Sequence, residues 1–568
     1  MSAPTELRTQ VAVVGAGPVG TTVANYLGLY GVESLLIDRA TDIVDYPRAV
    51  GMDDECLRSF QGVGLADEML ADMLQNIPLK MFGADGRCFA DIRPATREFG
   101  WPRRNIFMQQ LAEATLRGGL ERYPHVQPLY DHELVRLEQD GTEVRLHLTG
   151  PDGARVLVRA EYVVAADGGR STIRTQLDIP LVGDTHPHKW VVVECDNDPL
   201  DAPYTALHCD PKRPYVCIDL PYNYRRWEFM LFPGEDAEAM LRPEKVRELL
   251  TGHVPDPTAL NIIRARVYTH HSRVASRFVE GRIALVGDAA HLMPPWAGQG
   301  MNTGIRDATN VAWKLAAAVT GRAHPRILST YDSERRAHAK AMVDLSDTLG
   351  RVLSPTRSWV ARPRDTLFRG LGLAPAVRDW LLQMRFKPMP RYDEGGIVLH
   401  HGQHPRKTSA VGRMLVQPNV ETSDGRAVLL DDALGTWFTL IGYGTDPLIH
   451  LDAGSRAFWD RIGTRYVTVA ESRSGRSRTE RPASSTDSAV VEDIDGSLRD
   501  WFATQPGTVA VIRPDRYVAA VTEPLQLASV SVEFERLLAP RRNRETKDPE
   551  TKDLPSFPSL LETLRGAS

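Results

Sequence analysis

Residues 11–20 read V-A-V-V-G-A-G-P-V-G, and the reading of this stretch decides the fold. A compact strand at 11–14 runs into Gly15-Ala16-Gly17-Pro18-Val19-Gly20, and an amphipathic stretch continues through Leu29. The next strand, 32–37, ends in Asp38-Arg39. Strand, glycine turn, helix, strand and acid in this order make a dinucleotide-binding βαβ unit. Gly15 makes the turn, Gly17 lets a pyrophosphate approach, and Gly20 lets helix and strand pack. Asp38 can take ribose hydroxyls. An α/β fold is therefore expected, although this motif alone does not separate FAD from NAD.

Two further stretches carry the same logic. Residues 282–302 read R-I-A-L-V-G-D-A-A-H-L-M-P-P-W-A-G-Q-G-M-N. A short apolar strand at 283–286 is broken by Gly287-Asp288, which leaves a carboxylate at the strand's carboxyl end, where ligands of open α/β sheets collect. Pro294-Pro295 fixes φ twice, Gly298 and Gly300 allow close backbone approach, and a helical run follows from Gly304. The result is a rigid loop with free amides at a helix entrance, suited to an anion or an electron-rich ring. A strand at 162–166 likewise ends in Asp167-Gly168-Gly169-Arg170-Ser171, with Arg174 a turn further on. Two such sites together with the βαβ unit imply one large, extended ligand gripped by a split domain.

Working outward, Arg48 in D-Y-P-R-A-V-G-M-D-D-E (45–55) could reach the ligand's pyrophosphate or ring edge, or stand solvated. Asp53 and Asp54 fit helix-start chemistry at least as well as catalysis. A helix at 107–116 could present the Gln109 amide to a cofactor. Strands at 144–148 and 156–158 around Gly150-Pro151-Asp152-Gly153 read as a hairpin. Strand-like runs at 190–195, 215–220 and 226–232 are separated by turns and predict an inserted, mostly antiparallel sheet able to roof an aromatic pocket. The run 262–271 closes that insert, with Arg266, Tyr268 and His270 alternating to one face. His270-His271 is no metal signal, because adjacent strand residues point to opposite faces. Ile305, Ala308, Val311, Ala312, Leu315, Ala316 and Val319 mark a buried helical stripe. A Pro-, Arg- and aromatic-rich stretch at 355–395 reads as a connection.

A third unit begins near Gly412, with strands at 427–430, 438–442, 466–470 and 508–512 and a helix near 453–461. Residues 471–487 read as an exposed loop, and 541–568 as a polar tail. The five cysteines, Cys56, Cys88, Cys195, Cys209 and Cys217, form no C-x-x-C pair, so neither a disulfide framework nor a thiolate metal site is expected. The net charge of -5 gives no reason to expect nucleic acid or an anionic membrane. No apolar run approaches the length of a membrane span and the first residues lead straight into a strand, so a cytoplasmic protein is expected.

The segments G-A-G-P-V-G with Asp38-Arg39, A-D-G-G-R-S with Arg174, and G-D-A-A-H-L-M-P-P-W-A-G-Q-G-M-N resemble the fingerprints of the class A flavin-dependent aromatic hydroxylases over residues 9–345. The phrases D-Y-P-R-A-V-G-M-D-D-E, F-G-W-P-R-R-N, C-D-P-K-R-P-Y-V and M-R-F-K-P-M-P resemble the branch that acts on 3-(3-hydroxyphenyl)propionate. The remainder, with V-I-R-P-D-R-Y-V at 511–518, is similar to the C-terminal thioredoxin-like domain of the larger phenol hydroxylase-like members. Without a cysteine there, packing or homodimer formation is its expected work.

The resemblance implies a Rossmann-like FAD domain of the hydroxybenzoate hydroxylase type (GR2) at 1–180 and 272–395. A substrate sheet at 181–271, a thioredoxin-like domain at 396–540 and the tail complete the expected plan. It implies that Gly15, Gly17, Pro18, Gly20, Asp38, Arg39, Arg48, Gln109, Asp167, Gly168, Gly287, Asp288, Pro295, Gly298, Gly300, Met301 and Asn302 bind cofactor. In such enzymes the acid corresponding to Asp288 holds FAD ribityl hydroxyls, Pro294 or Pro295 lies by the flavin, and the 298–302 backbone faces the pyrimidine edge. Arg266, Tyr268, Pro295 and Trp296 are the implied catalytic positions, with Trp296 either a substrate wall or a packed aromatic.

The implied reaction is phenylpropionate degradation. NADH, or less favourably NADPH, reduces FAD; O2 forms a C4a-hydroperoxyflavin, which attacks a small phenolic carboxylate ortho to its hydroxyl. A group near Tyr268 would take the phenol's proton. Arg266, His208 and Arg213 are the unranked candidates for binding the substrate carboxylate. Hydroxylation of another phenol, of the resorcinol or hydroxybenzoate type, stands as the alternative. An NAD-dependent dehydrogenase or a non-catalytic flavoprotein is further off.

Overall fold

The computed structural model describes residues 4–538 apart from 47, 372, 385, 386, 390, 397–408 and 472–486. The first strand, Thr5–Val14, is followed by the helix Pro18–Leu29 and the strand Ser34–Ile37. Val11, Ala12 and Val13 are fully buried, as a strand covered on both faces requires. Thr5–Val14 pairs in parallel with Ser34–Ile37 on one side and with Arg155–Ala165 on the other, and Arg155–Ala165 pairs in parallel with Ile283–Leu285. The registers match Val14 with Ile37 and with Ala165, and Ala165 with Leu285. All three fingerprint loops therefore leave the sheet at one level of its carboxyl edge, although they are far apart in sequence.

The strands expected separately at 156–158 and 162–166 are one strand, Arg155–Ala165. Its first half is bonded on both sides, antiparallel to Val144–Thr149 and parallel to Thr5–Val14, which keeps the chain extended through Ala160-Glu161. Gly15 adopts φ +107°, and a Cβ there would lie 2.2 Å from the Ala166 carbonyl oxygen. A Cβ on Gly20 would lie 1.9 Å from the Gly15 carbonyl oxygen. The turn thus requires glycine at both positions.

The second sheet has eight strands, in the order His291–Leu292, Asn261–Ala275, Leu181–Asp196, Tyr224–Met230, Tyr215–Leu220, Thr205–His208, Leu79–Phe82, Cys88–Ile92. It is antiparallel except where Thr205–His208 runs parallel to Leu79–Phe82. The sheet is wider than residues 181–271, because strands from both flanking segments extend its edges. Helix Ser329–Leu353 packs against its strands Asn261–Ala275 and His291–Leu292, helix Gly300–Val319 packs on Pro18–Leu29 of the first unit, and two helices, Ser358–Leu371 and Pro375–Leu382, occupy the stretch read as a connection.

The C-terminal unit holds a seven-stranded mixed sheet with a helix at Ala453–Ile462. Its strands Ala427–Leu429, Thr439–Tyr443, Arg465–Ala470 and Val509–Ile512 lie within a residue or so of the expected ones. It is joined to the rest by buried charge. Arg513 Nη2 lies 2.8 Å from Glu334 Oε2 and 2.6 Å from Asp515, while Lys314 Nζ lies 2.8 Å from Glu334 Oε2. Burial pulls the Lys314 ammonium down to about 8, against the opposing pull of Glu334. Arg58 makes a bidentate pair with Asp431 at 2.7 Å. The proposed loop at 471–487 lies almost entirely outside the described residues, and the tail 541–568 wholly so.

Candidate active site

A cavity of about 390 Å³ opens at the carboxyl edge of the first sheet, beneath the second. One half of its lining is backbone and charge: Gly17, Pro18, Val19, Arg48, Gly168, Asp288 and residues 298–302. Two helices begin here. Pro18–Leu29 starts from Gly17 and Gly300–Val319 from Gln299, and neither start has a side-chain cap. Uncapped first-turn amides at the positive ends of two helices suit anionic and electron-rich groups.

Added Cβ atoms on Gly17, Gly168 and Gly298 would meet nothing within 4 Å, so the backbone at these points faces open space. Asp288 lies deep in the molecule, yet its own surface is open to the cavity. Burial raises its carboxyl above the ordinary value, against the opposing charges of His291 and Arg48. A carboxylate in that position calls for hydroxyl donors. Phosphate-binding amides, a Cβ-free cradle and a carboxylate for sugar-like hydroxyls together fit FAD.

The other cofactor positions act around this cradle. Both Asp38 oxygens accept backbone amides, from Ala16 at 2.6 Å and Ala40 at 2.8 Å, which orients the carboxylate and leaves lone pairs for a ribose. Arg39 is exposed, 4.0 Å from Glu133. Asp167 Oδ2 accepts from the Ile173 amide at 3.1 Å, and burial raises its carboxyl. Arg174 donates to Gly169 O at 3.1 Å and Ala289 O at 3.0 Å, joining the second fingerprint to the third. Gly287, with φ +57°, lies against Val19 and shapes the turn into Asp288.

Gln109 lines the cavity, but its amide is not held out for a ligand as the sequence suggested. Its Oε1 accepts from the Arg48 and Ala49 amides at 2.7 and 2.8 Å, and its Nε2 donates to Glu113 at 2.7 Å. Gln109 therefore fixes the Arg48 loop. Arg48 itself donates to the Tyr46 hydroxyl at 3.0 Å.

Asn302 contributes its side chain as well as its backbone. Oδ1 accepts from the Asp53 amide at 3.1 Å, and Nδ2 donates to Gly51 O at 3.0 Å and Gly298 O at 2.7 Å. Asp53 caps its helix through the Cys56 amide at 3.0 Å and also enters a buried cluster that sequence reasoning missed. Arg306 pairs with Asp53 and, at 2.6 Å, with Glu55; Lys387 lies 2.7 Å from each of the two acids. One signal was available: Arg306, Asp307, Asn310 and Lys314 interrupt an apolar helix, and all are buried.

The other half of the lining is apolar, with Leu79, Met81, Leu207, Val216, Ile218, Leu345 and Leu349 around Trp190 and Trp296. Trp296 meets Trp190 edge-on at 5.0 Å, and a Cβ on Gly350 would lie 2.7 Å from its Nε1. Pro295 begins the turn that carries Trp296, and both line the cavity. Of the strand face Arg266, Tyr268 and His270, only His270 belongs to the lining. Arg266 instead stacks on the Tyr46 ring at 4.0 Å, and burial raises the half-buried Tyr268 hydroxyl. Burial holds His270 down to about 3, and it is therefore neutral at pH 7.

His208 and Arg213 lie away from the lining. His208 is stacked between Phe82 at 4.7 Å and Tyr215 at 4.1 Å, where burial lowers it to about 4, so it offers no positive charge to a carboxylate. Arg213 is already engaged with Glu235 at 2.5 Å and Met230 O at 2.7 Å. Among the described residues, no cluster of side chains could hold a metal ion, and no helix is long and apolar enough to cross a membrane.

Comparison with known proteins agrees with this geometry. Residues 8–346 match the FAD binding domain family, and 412–537 match the HcaD C-terminal domain. The chain is 56% identical to 3-(3-hydroxy-phenyl)propionate/3-hydroxycinnamic acid hydroxylase 2 of Burkholderia vietnamiensis (strain G4 / LMG 22486), covering 96% of this chain and 99% of that one. It is 45% identical to the 3-(3-hydroxy-phenyl)propionate/3-hydroxycinnamic acid hydroxylase of Escherichia coli (strain K12), covering 91% and 92%. The flavin-dependent monooxygenase PieE, solved with FAD and substrate, shares the fold with a TM-score of 0.76 at 22% identity, over 94% of this chain and 99% of its own. These likenesses extend through both sheets and the C-terminal unit, and the chain belongs to the class A FAD-dependent monooxygenases, as an aromatic monooxygenase driven by NAD(P)H.

Proposed function

We propose that this enzyme uses FAD, NADH and O2 to hydroxylate 3-(3-hydroxyphenyl)propionate, and also 3-hydroxycinnamate, ortho to the existing hydroxyl, giving the 2,3-dihydroxyphenyl product. The observation that carries the reading is one cavity with an amide-rich half and an apolar half. Near full-length relatives named for these acids support the choice of substrate.

FAD, when bound, supplies hydride acceptance and oxygen activation. Gly17 and Pro18 would hold the pyrophosphate at a helix start, on the turn shaped by Gly15 and Gly20. Asp38, beside Arg39, would take ribose hydroxyls, and Arg48 and the Asp167-Gly168 loop would complete the grip. Asp288 and the Gly287 turn would hold the ribityl chain. Amides at Gly298, Gly300, Met301 and Asn302 would face the ring and stabilise negative charge developing there, since fixed donors need no reorganisation. Pro295 and Trp296 would wall the reacting side, and His270, neutral and on the lining, is placed to accept a hydrogen bond from the phenol. Arg266 and Tyr268 would act from behind the lining, through the Tyr46–Arg48 loop. The second sheet keeps bulk water from the reacting centre.

The C-terminal unit reads as a thioredoxin-like domain without cysteines, serving attachment through the Glu334–Arg513 and Arg58–Asp431 pairs. The deciding experiment is NADH consumption by the purified holoenzyme across a panel of phenols, with product identification. Stimulation by 3-(3-hydroxyphenyl)propionate with a 2,3-dihydroxy product supports the reading. No response to that acid would sink it, and a response confined to resorcinol or a hydroxybenzoate would reassign the substrate.

A further inference from the structure

We propose that Arg104 anchors the carboxylate of the aromatic substrate. The inference rests on the substrate class proposed above and names the residue that selects it. Arg104 opens the strand Arg104–Ile106, which pairs with Gly51–Asp53 beside the cavity. Its guanidinium is held by neutral acceptors alone: Nη1 donates to Ile77 O at 2.6 Å and Pro78 O at 3.4 Å, and Nη2 to Thr205 Oγ1 at 2.9 Å. Thr205 belongs to the second sheet and also lines the cavity. Two strands and a turn therefore fix the group at the apolar half, where the substrate ring would lie.

Among the described residues no carboxylate pairs with Arg104, and its Nε makes no hydrogen bond. Nε and Nη2 lie on one edge of the guanidinium, the edge through which an arginine binds a carboxylate by two parallel bonds. Burial pulls the group down to about 10, which leaves it charged at neutral pH. A cation enclosed among neutral groups is stabilised by a counter-ion, and an incoming carboxylate supplies one.

The other cations on the lining are differently placed. Lys387 is committed to Asp53 and Glu55. Arg48 bonds Tyr46 at the amide-rich half, and Arg103 donates to Thr96 at 2.9 Å on an exposed side. Among the described residues, the one acid of the apolar half, Glu228, accepts from Arg226 at 2.9 Å, which offsets the repulsion it would offer to a bound anion.

The test compares an acid with its carboxylate-free counterpart in the same holoenzyme. KM and kcat for NADH-dependent hydroxylation are measured with 3-(3-hydroxyphenyl)propionate and with 3-ethylphenol, in wild type, R104M and R104K. In R104M, KM for the acid is expected to rise about 30-fold or more, as for a buried charge pair that loses one partner, while the neutral phenol changes little. R104K should fall between, because an ammonium cannot offer the two-bond fork. Equal losses on both phenols, or no loss on the acid, would overturn the anchor. If R104M fails to retain FAD, T205V provides the measurement: a loss selective for the acid supports the anchor, and an unselective one overturns it. Wild type indifferent to 3-(3-hydroxyphenyl)propionate but active on other aromatic acids overturns the substrate reading alone, and those acids then serve in the comparison. Wild type active only on neutral phenols overturns both.

Discussion

Lys387 Nζ lies 2.7 Å from Glu55 Oε1, although 332 residues separate the two in sequence. With Arg306 and Asp53 they form a buried set of two cations and two carboxylates at the wall of the cavity, where Asp53 and Lys387 join the lining. Removing one charge leaves the set unbalanced where water cannot compensate. K387M should therefore destabilise the protein by roughly 3–5 kcal/mol. A thermal melt of the holoenzyme checks this; an unchanged melting temperature would show that the lysine is dispensable.

Asp54 stands next to this set and, among the described residues, pairs with no cation and accepts only the Glu55 amide at 3.1 Å. Burial, then repulsion from Asp53 and Glu55, pushes its carboxyl up to about 7, against the pull of Lys387 and Arg103. The folded state thus holds this proton more tightly than the unfolded state does. Its contribution to stability is full below the ordinary carboxyl value and is lost as pH rises through about 7. Wild type should lose melting temperature between acid and mildly alkaline buffer, and D54N should show a flatter profile. Parallel profiles for the two proteins would contradict the assignment.

Two glycines of one turn should fail in different ways. A Cβ on Gly15 would strike the Ala166 carbonyl oxygen, at a φ that side chains disfavour, so G15A should cost on the order of 3 kcal/mol or more in stability. A Cβ at Gly17 meets nothing within 4 Å and faces the cavity, so G17V should fold and lose flavin. Flavin content and melting temperature, measured on both variants, separate the cases. A G17V protein as yellow as wild type would remove Gly17 from the cofactor site.

Arg513 reaches from the C-terminal unit to Glu334, and neither side chain is exposed. R513M should weaken that attachment by roughly 3–5 kcal/mol, because among the described residues Glu334 would keep only Lys314 as a cationic partner. Limited proteolysis should then release the C-terminal unit at protease concentrations that leave wild type intact. Identical digestion of both proteins would count against the pair as the attachment.

The parts of the site written in local chemistry were legible beforehand. Gly15, Gly17, Asp288 and Gly298 mark strand ends and helix starts, and such punctuation works within a few residues. Gln109 shows where legibility stops: whether its amide faces a ligand or holds the Arg48 and Ala49 amides depends on a loop 60 residues away. Arg104 and Lys387 were hidden for the same reason, since their roles are defined by partners on other elements. His208 was misread as a carboxylate partner because a histidine's charge is set by its neighbours, here two stacked rings. The fold was more legible than the lining, because alternation and periodicity report burial directly, whereas a pocket wall collects single residues from many strands.

The charge set around Lys387 also has a bearing on biosynthesis. A ribosome makes the chain from its first residue, and Asp53, Glu55 and Arg306 all emerge before position 387. Until the lysine follows, two carboxylates face one arginine behind the cradle, and Lys314 and Glu334 wait longer still for Arg513. The first sheet can pair as soon as residue 285 is out, yet the wall behind it reaches electrical balance only when most of the chain has been translated. Asp53 and Glu55 thus gain their second cation only after every strand of the first sheet is available to pair.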